Sequence, residues 1–359
     1  MKKILILANN DIGLYKFRKE LIQKLLENHQ VYISLPYGQL VDPLVDMGCQ
    51  FIDTSVDRRG INPVTDLKLI RQYFRIFKEI KPDLVITYTI KPNVYGGFVS
   101  RIKHVEYAIN ITGLGTAFQK ENLIKKLVCS LYKISAKTAK VVFFENIENK
   151  EIFIHNHLIN EKQAYLLNGA GVNLEEYPLS PYPEQSQPVH FLFIGRVMKE
   201  KGVDELFEAA KRIKSQYPEI IFDIVGPMED DYKAIISQLT AQQIIRYHGY
   251  QEDVRPFIKQ CHCFVLPSYH EGMANTLLEC ASMGRPLITS DIHGCKEAIN
   301  GNGYLCKVKE TDDLYQKMKE FIELDYDQKK KLSINSRKHM KKLFDKEKVI
   351  EKTIIRLCD

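Results

Sequence analysis

The chain has 359 residues, 45% of them hydrophobic and 27% charged, with eight cysteines and a formal net charge of +6. A length beyond about 250–300 residues predicts two domains, and this composition is typical of globular proteins rather than of disordered or fibrous ones. No apolar run approaches the roughly 20 residues that cross a bilayer, and the N-terminal apolar run is too short for a signal peptide, so we expect a cytoplasmic protein. The cysteines lack paired CxxC spacing, and Cys261 and Cys263 border a strand without spaced histidines, so we expect these two to be reduced core residues and not zinc ligands.

The positive charge is concentrated in the first half of the chain. Residues 1–165 contain 24 Lys and Arg against 16 Asp and Glu, whereas the remainder is slightly acidic. This asymmetry predicts an anionic partner, either a membrane surface or a substrate that bears phosphate. No nucleic-acid-binding motif or basic tract accompanies the charge, so we expect no nucleic-acid partner.

Short apolar runs alternate with amphipathic segments through this first half. Strands are predicted at residues 3–8, 31–35, 50–53, 84–88, 107–111 and 141–144, with helices from about residue 15 and over 66–80, 94–102 and 122–140. Alternating strands and helices are typical of a parallel, doubly wound sheet. The helices at 66–80 and 122–140 are basic on their polar side. Such helices usually cover a sheet with a solvated outer face, but two of them also suit a membrane-facing surface.

Small polar loops follow three of these strands. Residues 9–13 (NNDIG) join a strand to a helix, an arrangement that can hold a phosphate at a helix N-terminus, although the GxGxxG dinucleotide fingerprint is absent. Residues 89–93 (TIKPN) and 112–115 (TGLG) form the other two loops. We therefore expect polar contacts for a ligand at the carboxyl edge of the sheet.

The pattern restarts after a segment rich in Pro, Ser, Gln and Glu at 178–188, which predicts an interdomain linker. Strands are predicted at 191–194, 220–225, 245–248, 263–266, 287–290 and 303–306, and the chain is helical from residue 311. We place a first domain at 1–165, a linker at 166–186 and a second domain at 187–344. The fold class is α/β, with two Rossmann-like, doubly wound domains.

The stretch from 269 to 286, YHEGMANTLLECASMGRP, contains the densest set of candidate ligand contacts. It follows an apolar strand, turns at Glu271-Gly272 and enters an amphipathic helix whose first N–H groups can bind an anion. Gly272 permits close approach of a ligand, and Glu279 lies about two helical turns beyond Glu271. This combination suits a nucleotide-sugar pocket, with carboxylates for hydroxyl groups and free amides for phosphate. Two glutamates alone would favour the alternative, acidic caps on an ordinary helix.

Four motifs in the second half resemble, in their order, those of the retaining GT-B glycosyltransferases of family 4. They are FIGRV at 193–197 with KG at 201–202, HG at 248–249, EG…E from 271 to 279, and GRP at 284–286. The first half adds NDIGLYKFRKEL, TYTIKPNVYGG and NITGLGTAF. These are similar to the branch that extends lipid-linked saccharides in bacterial capsule, O-antigen or glycan assembly, close to the N-acetylgalactosaminyltransferases.

This resemblance implies two domains that face each other across a cleft, with the C-terminal helix at 345–359 packing back on the first domain. A leaving nucleoside diphosphate needs fixed cations. Arg196 would supply a planar guanidinium that can bind two oxygens, and Lys201 would supply a compact ammonium charge. The alternative for each residue is a solvated cation on the surface. Glu271 would contact hydroxyl groups of the donor sugar. Asn110 and Thr112 are candidate polar contacts at the reacting centre, and Thr112 stands where many members have a histidine.

The remaining candidates are donor-binding and acceptor-binding residues. Backbone N–H groups would contact the donor phosphates and sugar, and Gly226 with the 248–250 loop would line the base. The donor-binding set is Gly13, Gly195, Gly226, His248, Tyr250, Gly272, Met273, Ala274, Asn275, Thr276 and Glu279. Lys91 is a candidate for binding the pyrophosphate of a lipid-linked acceptor, and a plain surface charge is the alternative.

A resident metal or cofactor is not expected. The only DxD, at residues 325–327, lies in the charged helical region, where it predicts a helix-start cap rather than a divalent-metal site. HExxH and GxSxG are absent, which argues against metalloproteases and α/β-hydrolases.

The expected protein is a peripheral enzyme on the inner face of the membrane. It would transfer a hexose or N-acetylhexosamine from a UDP-sugar to an undecaprenyl-diphosphate-linked saccharide. Two alternatives remain: a UDP-sugar 2-epimerase on the same scaffold, and a catalytically silent nucleotide-sugar-binding subunit. The GR…KG and EGMANTLLE motifs argue against the first, and the intact cations and glutamates argue against the second.

Overall fold

The structure is a computed structural model that describes residues 1–57, 62–114, 123–228 and 231–358, without the side chains of 123 and 124. The chain divides into two compact units, Met1–Ala170 with Val349–Asp359, and Gly171–Lys348. None of the helices in these described ranges is long and apolar enough to span a membrane.

The first unit is built on a seven-stranded parallel sheet whose order is β3-β2-β1-β4-β5-β6-β7. Its strands are β1 (Lys3–Leu7), β2 (Gln30–Leu35), β3 (Gln50–Asp53), β4 (Leu84–Tyr88), β5 (Glu106–Ile111), β6 (Val141–Phe144) and β7 (Ala164–Leu166). Its helices are α1 (Asp11–Leu26), α2 (Val41–Asp46), α3 (Pro63–Ile80), α4 (Gly97–Ile102), α5 (Leu123–Ser135) and α6 (Ile147–His155). A π-helical turn, Pro92–Gly96, precedes α4.

The core of this unit has two layers because β1 is covered on both faces. Ile4 and Ile6 pack in one apolar cluster, and Leu5 and Leu7 pack in a second one. Alternate residues of a strand point to opposite faces, so a strand buried on both sides is a continuous apolar run, as KILIL is.

The second unit repeats the plan with six parallel strands in the order β10-β9-β8-β11-β12-β13. The strands are β8 (His190–Ile194), β9 (Ile221–Val225), β10 (Arg246–Tyr247), β11 (Cys263–Leu266), β12 (Leu287–Ser290) and β13 (Gly303–Cys306). The helices are α7 (Val203–Gln216), α8 (Lys233–Ala241), α9 (Arg255–Gln260), α10 (Asn275–Ser282), α11 (Thr311–Glu323) and α12 (Tyr326–His339). Residues 171–186 lie within this unit. The last helix, α13 (Lys346–Cys358), contributes Val349 and Leu357 to the core of the first unit.

The predicted alternation of strands and helices is confirmed, and the differences are local. The first helix begins at Asp11 rather than near residue 15, because the Asn10 side chain accepts a hydrogen bond from the Gly13 N–H at 2.6 Å and caps it. The short elements α2, α6, α8 and β7 had no clear sequence signal. The predicted residues Gly115, Asn122 and Asp359 lie outside the described residues. Asp325 caps α12 in a capping box with Gln328, so the cap predicted for the DxD is confirmed.

Candidate active site

Three glycine-bearing loops meet at the carboxyl edge of the second sheet. The Gly226 N–H donates to the Gly249 carbonyl at 2.7 Å, and the Gly195 N–H donates to the Val225 carbonyl at 2.9 Å. Gly226 has a φ of +139°, and a side chain there would overlap the carbonyl oxygen of Gly195. Only glycine fits this position, so the close approach of the loops after β8, β9 and β10 depends on it.

A second close approach brings Lys201 to Glu271. Gly202 has a φ of +69°, and a β-carbon there would overlap the Pro267 carbonyl oxygen, so the loop before α7 lies directly against the end of β11. The Lys201 ammonium pairs with Oε1 of Glu271, and the Ser268 hydroxyl donates to the same oxygen at 2.8 Å. The two charged side chains are 20% and 12% exposed. The predicted cation and carboxylate are therefore neighbours in a sheltered site.

Helix α10 presents its N-terminus beside this pair. Within the described residues no side chain caps the helix, and the N–H groups of Asn275 and Thr276 have no hydrogen-bond partner. The side-chain oxygen Oδ1 of Asn275 is buried, also without a partner. The N–H of Ala274 differs from its prediction as a phosphate donor, because it donates to the Gly294 carbonyl at 2.9 Å. The anion-binding capacity of this loop therefore rests on the helix N-terminus itself.

The other predicted donor contacts of this unit lie on the same loops and on α10. Met273 is buried, Gly272 and Glu279 are half-buried, and Arg196 and Tyr250 are exposed. Glu279 lies near the Tyr177 hydroxyl, whose pKa is raised first by burial and then by the charge of Glu279. Their contacts with a donor stay predictions.

Three of the four candidates in the first unit have hydrogen-bond partners within the protein. Asn110 is buried, and its amide donates to the Thr87 carbonyl at 3.2 Å. The Lys91 ammonium pairs with Asp66 at 2.7 Å, and the Tyr95 hydroxyl donates to the same carboxylate. Lys91 is thus a paired cation, although a role in acceptor binding stays a prediction. Two further candidates belong to this unit: Thr112 is half-buried just after β5, and the N–H of Gly13 is used by the cap of α1.

Thr89, which sequence reasoning did not single out, is strained at the carboxyl end of β4. Its φ is +72°, which disfavours a β-branched residue, and its hydroxyl is buried without a partner. Strain of this kind costs about 1–3 kcal/mol, and it concentrates at functional sites. No sequence signal marks the position, because Thr is an unusual choice for left-handed backbone.

We expect Thr89→Gly to stabilise the protein. Relief of the strain outweighs the roughly 0.5–1 kcal/mol lost to the greater freedom of glycine, which leaves a gain of about 1 kcal/mol and a rise in Tm of about 2–4 °C. Thermal unfolding of the wild type and the variant measures this rise in Tm. Thr240→Gly, at an exposed helical threonine of α8, is the matched control and should lower Tm. A fall in Tm for Thr89→Gly would contradict the inferred strain.

Sequence reasoning also missed a cluster of histidines around a buried carboxylate, although one member, His248, was predicted as a donor contact. Asp223, in the middle of β9, accepts from Nε2 of His190 and, at 2.7 Å, from Nε2 of His248. Burial alone would raise the pKa of Asp223, but the two hydrogen bonds and the imidazole charges outweigh it, so this pKa is lowered. His262 adjoins the cluster, since its Nδ1 accepts from the His190 N–H at 3.2 Å. The sequence signal that could have indicated this cluster is a polar residue in an otherwise apolar strand, Asp223 in IFDIV and His190 in HFLFI.

Because of His262, we expect the free energy of unfolding to decrease in mild acid. Burial, the neighbouring His190 and the cations Lys329 and Arg285 lower its pKa to about 4. Above about pH 6.5 this histidine is neutral in both the folded and the unfolded chain. Between about pH 6.5 and pH 4 it is protonated in the unfolded chain but still neutral in the folded protein. Stability should therefore fall by about 2 kcal/mol between pH 7 and 5 from this group. Denaturant unfolding of the wild type and of His262→Gln at a series of pH values measures this decrease. If the free energy of unfolding had the same pH dependence in both proteins, His262 would not be its cause.

Sequence models of two families match the chain in series. "Glycosyl transferase 4-like" matches residues 3–146, and "Glycosyl transferases group 1" matches residues 180–339. Each model falls within one of the two structural units. The candidate site with Lys201 and Glu271 lies in the group 1 segment.

Curated relatives and solved structures agree with these matches. The chain is 26% identical over 377 aligned positions to the N,N'-diacetylbacillosaminyl-diphospho-undecaprenol alpha-1,3-N-acetylgalactosaminyltransferase of Campylobacter jejuni, covering 99% of this chain and 98% of the relative. It is 28% identical to the UDP-Gal:alpha-D-GlcNAc-diphosphoundecaprenol alpha-1,3-galactosyltransferase of Escherichia coli, covering 80% and 79%. The structure of Anabaena Alr3699/HepE in complex with UDP and glucose has a TM-score of 0.81 at 16% identity and covers 99% of both chains. The two units therefore match glycosyltransferase families, the first unit the glycosyl transferase 4-like family and the second unit the glycosyl transferases group 1, and the chain has the GT-B fold.

Proposed function

We propose that this glycosyltransferase is a retaining enzyme that moves a hexose or N-acetylhexosamine from a UDP-sugar to an undecaprenyl-diphosphate-linked saccharide. The observation that carries the proposal is the sheltered Lys201–Glu271 pair beside the uncapped N-terminus of α10. The two relatives named above act on saccharides linked to undecaprenyl diphosphate, and the similar Anabaena structure holds UDP. These names support the acceptor and donor classes.

In this proposal the group 1 unit holds the donor. The N–H groups of Asn275 and Thr276 and the ammonium of Lys201 would bind the diphosphate, and Arg196 would add a bidentate contact. Glu271 would accept from hydroxyl groups of the sugar, and Glu279 from the ribose. Negative charge grows on the diphosphate as the glycosidic bond breaks, so donors fixed in advance around it stabilise the transition state more than the bound substrate.

The attack step needs little further chemistry from the chain. In a retaining reaction without a protein nucleophile, the leaving phosphate accepts the proton of the acceptor hydroxyl on the same face of the sugar ring. Thr112 stands at the position where a histidine is common, and its hydroxyl would orient the acceptor or the donor sugar without transferring the proton. The cations of the chain supply the positive charge, and the proposal includes no resident metal or cofactor.

A donor screen tests this function. UDP release is followed for a panel of UDP-sugars, with and without a short polyprenyl-diphosphate saccharide, in EDTA and in Mg²⁺. We expect release from one donor, strongly raised by the acceptor, equal in both buffers, and a product that keeps the anomeric configuration of the donor by NMR. An acceptor-independent change in the sugar would favour the epimerase. Binding of UDP-sugar without turnover on any acceptor would favour a silent subunit.

We further propose that a basic face of the first unit binds the anionic inner leaflet of the membrane. Helix α4 contacts both α3 and α5. The exposed cations of this face are Lys68, Arg71, Arg75, Lys78, Lys126, Lys133 and Lys137, and its exposed apolar residues include Leu67, Ile102, Leu127 and Ile134. Exposed cations that alternate with apolar side chains suit an anionic lipid surface, with about 1 kcal/mol per cation.

Charge reversal at Lys126 and Lys133 should weaken binding to vesicles that contain phosphatidylglycerol by at least about tenfold. Sedimentation with vesicles of anionic and of neutral lipid measures the effect. Reversal of Lys330 and Lys331, exposed on α12 of the second unit, is the matched control and should change little. Equal binding of the wild type to neutral and anionic vesicles would exclude the charge argument.

A further inference from the structure

Two chain segments supply the Lys201–Glu271 pair, and a second side-chain contact joins the same two segments. Lys201 ends the short helical turn Lys199–Lys201 that leads into α7, and Glu271 lies in the turn that follows β11. The Tyr269 hydroxyl lies 2.8 Å from Oε1 and 2.9 Å from Oε2 of Glu205, so it donates to a carboxylate in the first turn of α7. The segment that carries Glu271 is therefore linked to α7 independently of the Lys201–Glu271 pair.

Tyr269 is held at its backbone, its ring and its hydroxyl. Its N–H donates to the Glu200 carbonyl at 2.9 Å, next to Lys201. The Lys309 ammonium lies over the ring, 4.8 Å from its centroid. Burial, followed by the hydrogen bond and charge of Glu205, raises the pKa of the Tyr269 hydroxyl, which therefore stays protonated and donates at neutral pH. The position of this residue is thus fixed on several sides.

The Lys201–Glu271 contact is one that the proposed reaction must weaken. In that reaction the Lys201 ammonium binds the diphosphate and the Glu271 carboxylate accepts from hydroxyl groups of the sugar, so each side chain gives up part of its bonding to the other. One carboxylate oxygen of Glu271 already accepts from both Lys201 and the Ser268 hydroxyl. The Tyr269–Glu205 contact takes no part in this exchange of partners. It can keep the two segments in register while the pair opens.

We propose that Tyr269, held by Glu205, is a positioning residue for sugar transfer. It keeps the turn that carries Glu271 in register with Lys201 while both of these side chains bind the donor. The inference rests on the proposed function and adds the contact that preorganises its cation and its carboxylate. Groups that stabilise a transition state are effective when they are fixed in advance, and a misplacement of about 1 Å can lower the rate by about 100-fold.

Tyr269→Phe tests this role, because it removes the hydroxyl and keeps the ring. We expect kcat to fall by about tenfold or more at a temperature where the variant is fully folded. Glu205→Gln keeps an acceptor oxygen for the hydroxyl and should retain most of the activity, whereas Glu205→Ala should reproduce the loss. Because Tyr269 acts through Glu271, adding Tyr269→Phe to Glu271→Ala should cause little further loss of kcat. A residue that only stabilised the fold would not show this dependence.

Tyr232→Phe is the matched control. The Tyr232 hydroxyl donates to Asp204 at 2.9 Å, so this variant removes the same kind of contact from the neighbouring residue of α7. It should leave kcat unchanged. A loss as large as that of Tyr269→Phe would mean that α7 as a whole, rather than the turn with Glu271, had been disturbed, and would overturn the inference.

Hydrogen exchange of residues 267–272, followed by mass spectrometry without substrates, gives a readout that does not depend on activity. We expect faster exchange in Tyr269→Phe and Glu205→Ala than in the wild type and Glu205→Gln. Should Tyr269→Phe fail to fold, Glu205→Ala decides, because it breaks the same contact from the other side.

Unchanged kcat and unchanged exchange in these variants, with an active wild type, would overturn the inference and leave the proposed donor intact. If the wild type transferred sugar from no UDP-sugar, the proposed function would be wrong. Faster exchange in Tyr269→Phe would then still support Tyr269 as the residue that holds this turn.

Discussion

Replacing Lys201 by Ala is expected to lower kcat/KM for sugar transfer by about 100-fold or more, and Glu271→Ala should have an effect of similar size. Removal of a single preorganised group that stabilises transition-state charge typically reduces the rate by about 10²–10³-fold. Both side chains are sheltered, at 20% and 12% exposed, so water replaces a lost partner poorly. Steady-state kinetics with varied UDP-sugar, at saturating acceptor, measure the change.

The two single variants should differ in which kinetic parameter changes. Without Lys201, the diphosphate loses a cation whose contact strengthens as the bond breaks, so kcat should fall. Without Glu271, the hydroxyl groups of the sugar lose their acceptor in the ground state as well, so KM should also rise. Because the residues touch each other, the double variant should lose less than the sum of the two single effects.

Lys211 and Glu208 on α7 provide a matched control. They form an exposed lysine–glutamate pair at 3.2 Å, with side chains 38% and 51% exposed. Exposed pairs of this kind contribute little, so Lys211→Ala should keep both activity and Tm. Full transfer activity in Lys201→Ala would place the donor site elsewhere on the chain.

The parts of the fold that sequence predicted well depend on periodicity and on composition. Continuous apolar runs such as KILIL and CFVL predict strands buried on both faces, and the amphipathic segments between them predict the helices that cover the sheet. The GR…KG and EG…E spacing also placed candidate residues on loops of one sheet edge. The second sheet does bring Lys201 beside Glu271, although the two are 70 residues apart.

The parts that sequence could not predict are contacts between groups with no mutual signal. Ala274 has an N–H that any helix N-terminus would offer to an anion, yet the carbonyl of Gly294 takes it. Lys91 and Asp66 are 25 residues apart, and nothing in either local pattern indicates that they pair. The start of α1 differed for a local reason, since Asn10 rather than a later residue is the cap. Such contacts depend on how loops approach each other, which a pattern of apolar residues does not determine.

Arg285 is an instance in which a motif residue has a structural role in this chain. The GRP motif at 284–286 resembles that of the family, but Arg285 is fully buried. Its guanidinium donates to two carbonyls in the last turn of α9, those of Ile258 at 2.7 Å and Lys259 at 3.2 Å. It also donates to the Pro181 carbonyl at 2.9 Å and to the Ser180 hydroxyl at 2.6 Å. Burial lowers the pKa of this arginine. It therefore holds residues 180–181 against the last turn of α9 through neutral acceptors.

Replacing Arg285 by Met should destabilise the protein by about 3–5 kcal/mol, because four acceptors lose their donor, two of them in the buried residues Ile258 and Ser180, while the apolar volume is largely kept. At roughly 2–4 °C per kcal/mol for a unit of this size, Tm should fall by about 10 °C. Lys carries its donors on one atom and cannot reach acceptors spread around a planar fork, so Arg285→Lys should recover only part of the loss. Arg71→Lys, at an exposed arginine of α3, is the control and should leave Tm unchanged. Well below the lowered Tm, kcat of Arg285→Lys should match the wild type. A loss of kcat at full folding would instead mean that Arg285 acts on the donor site.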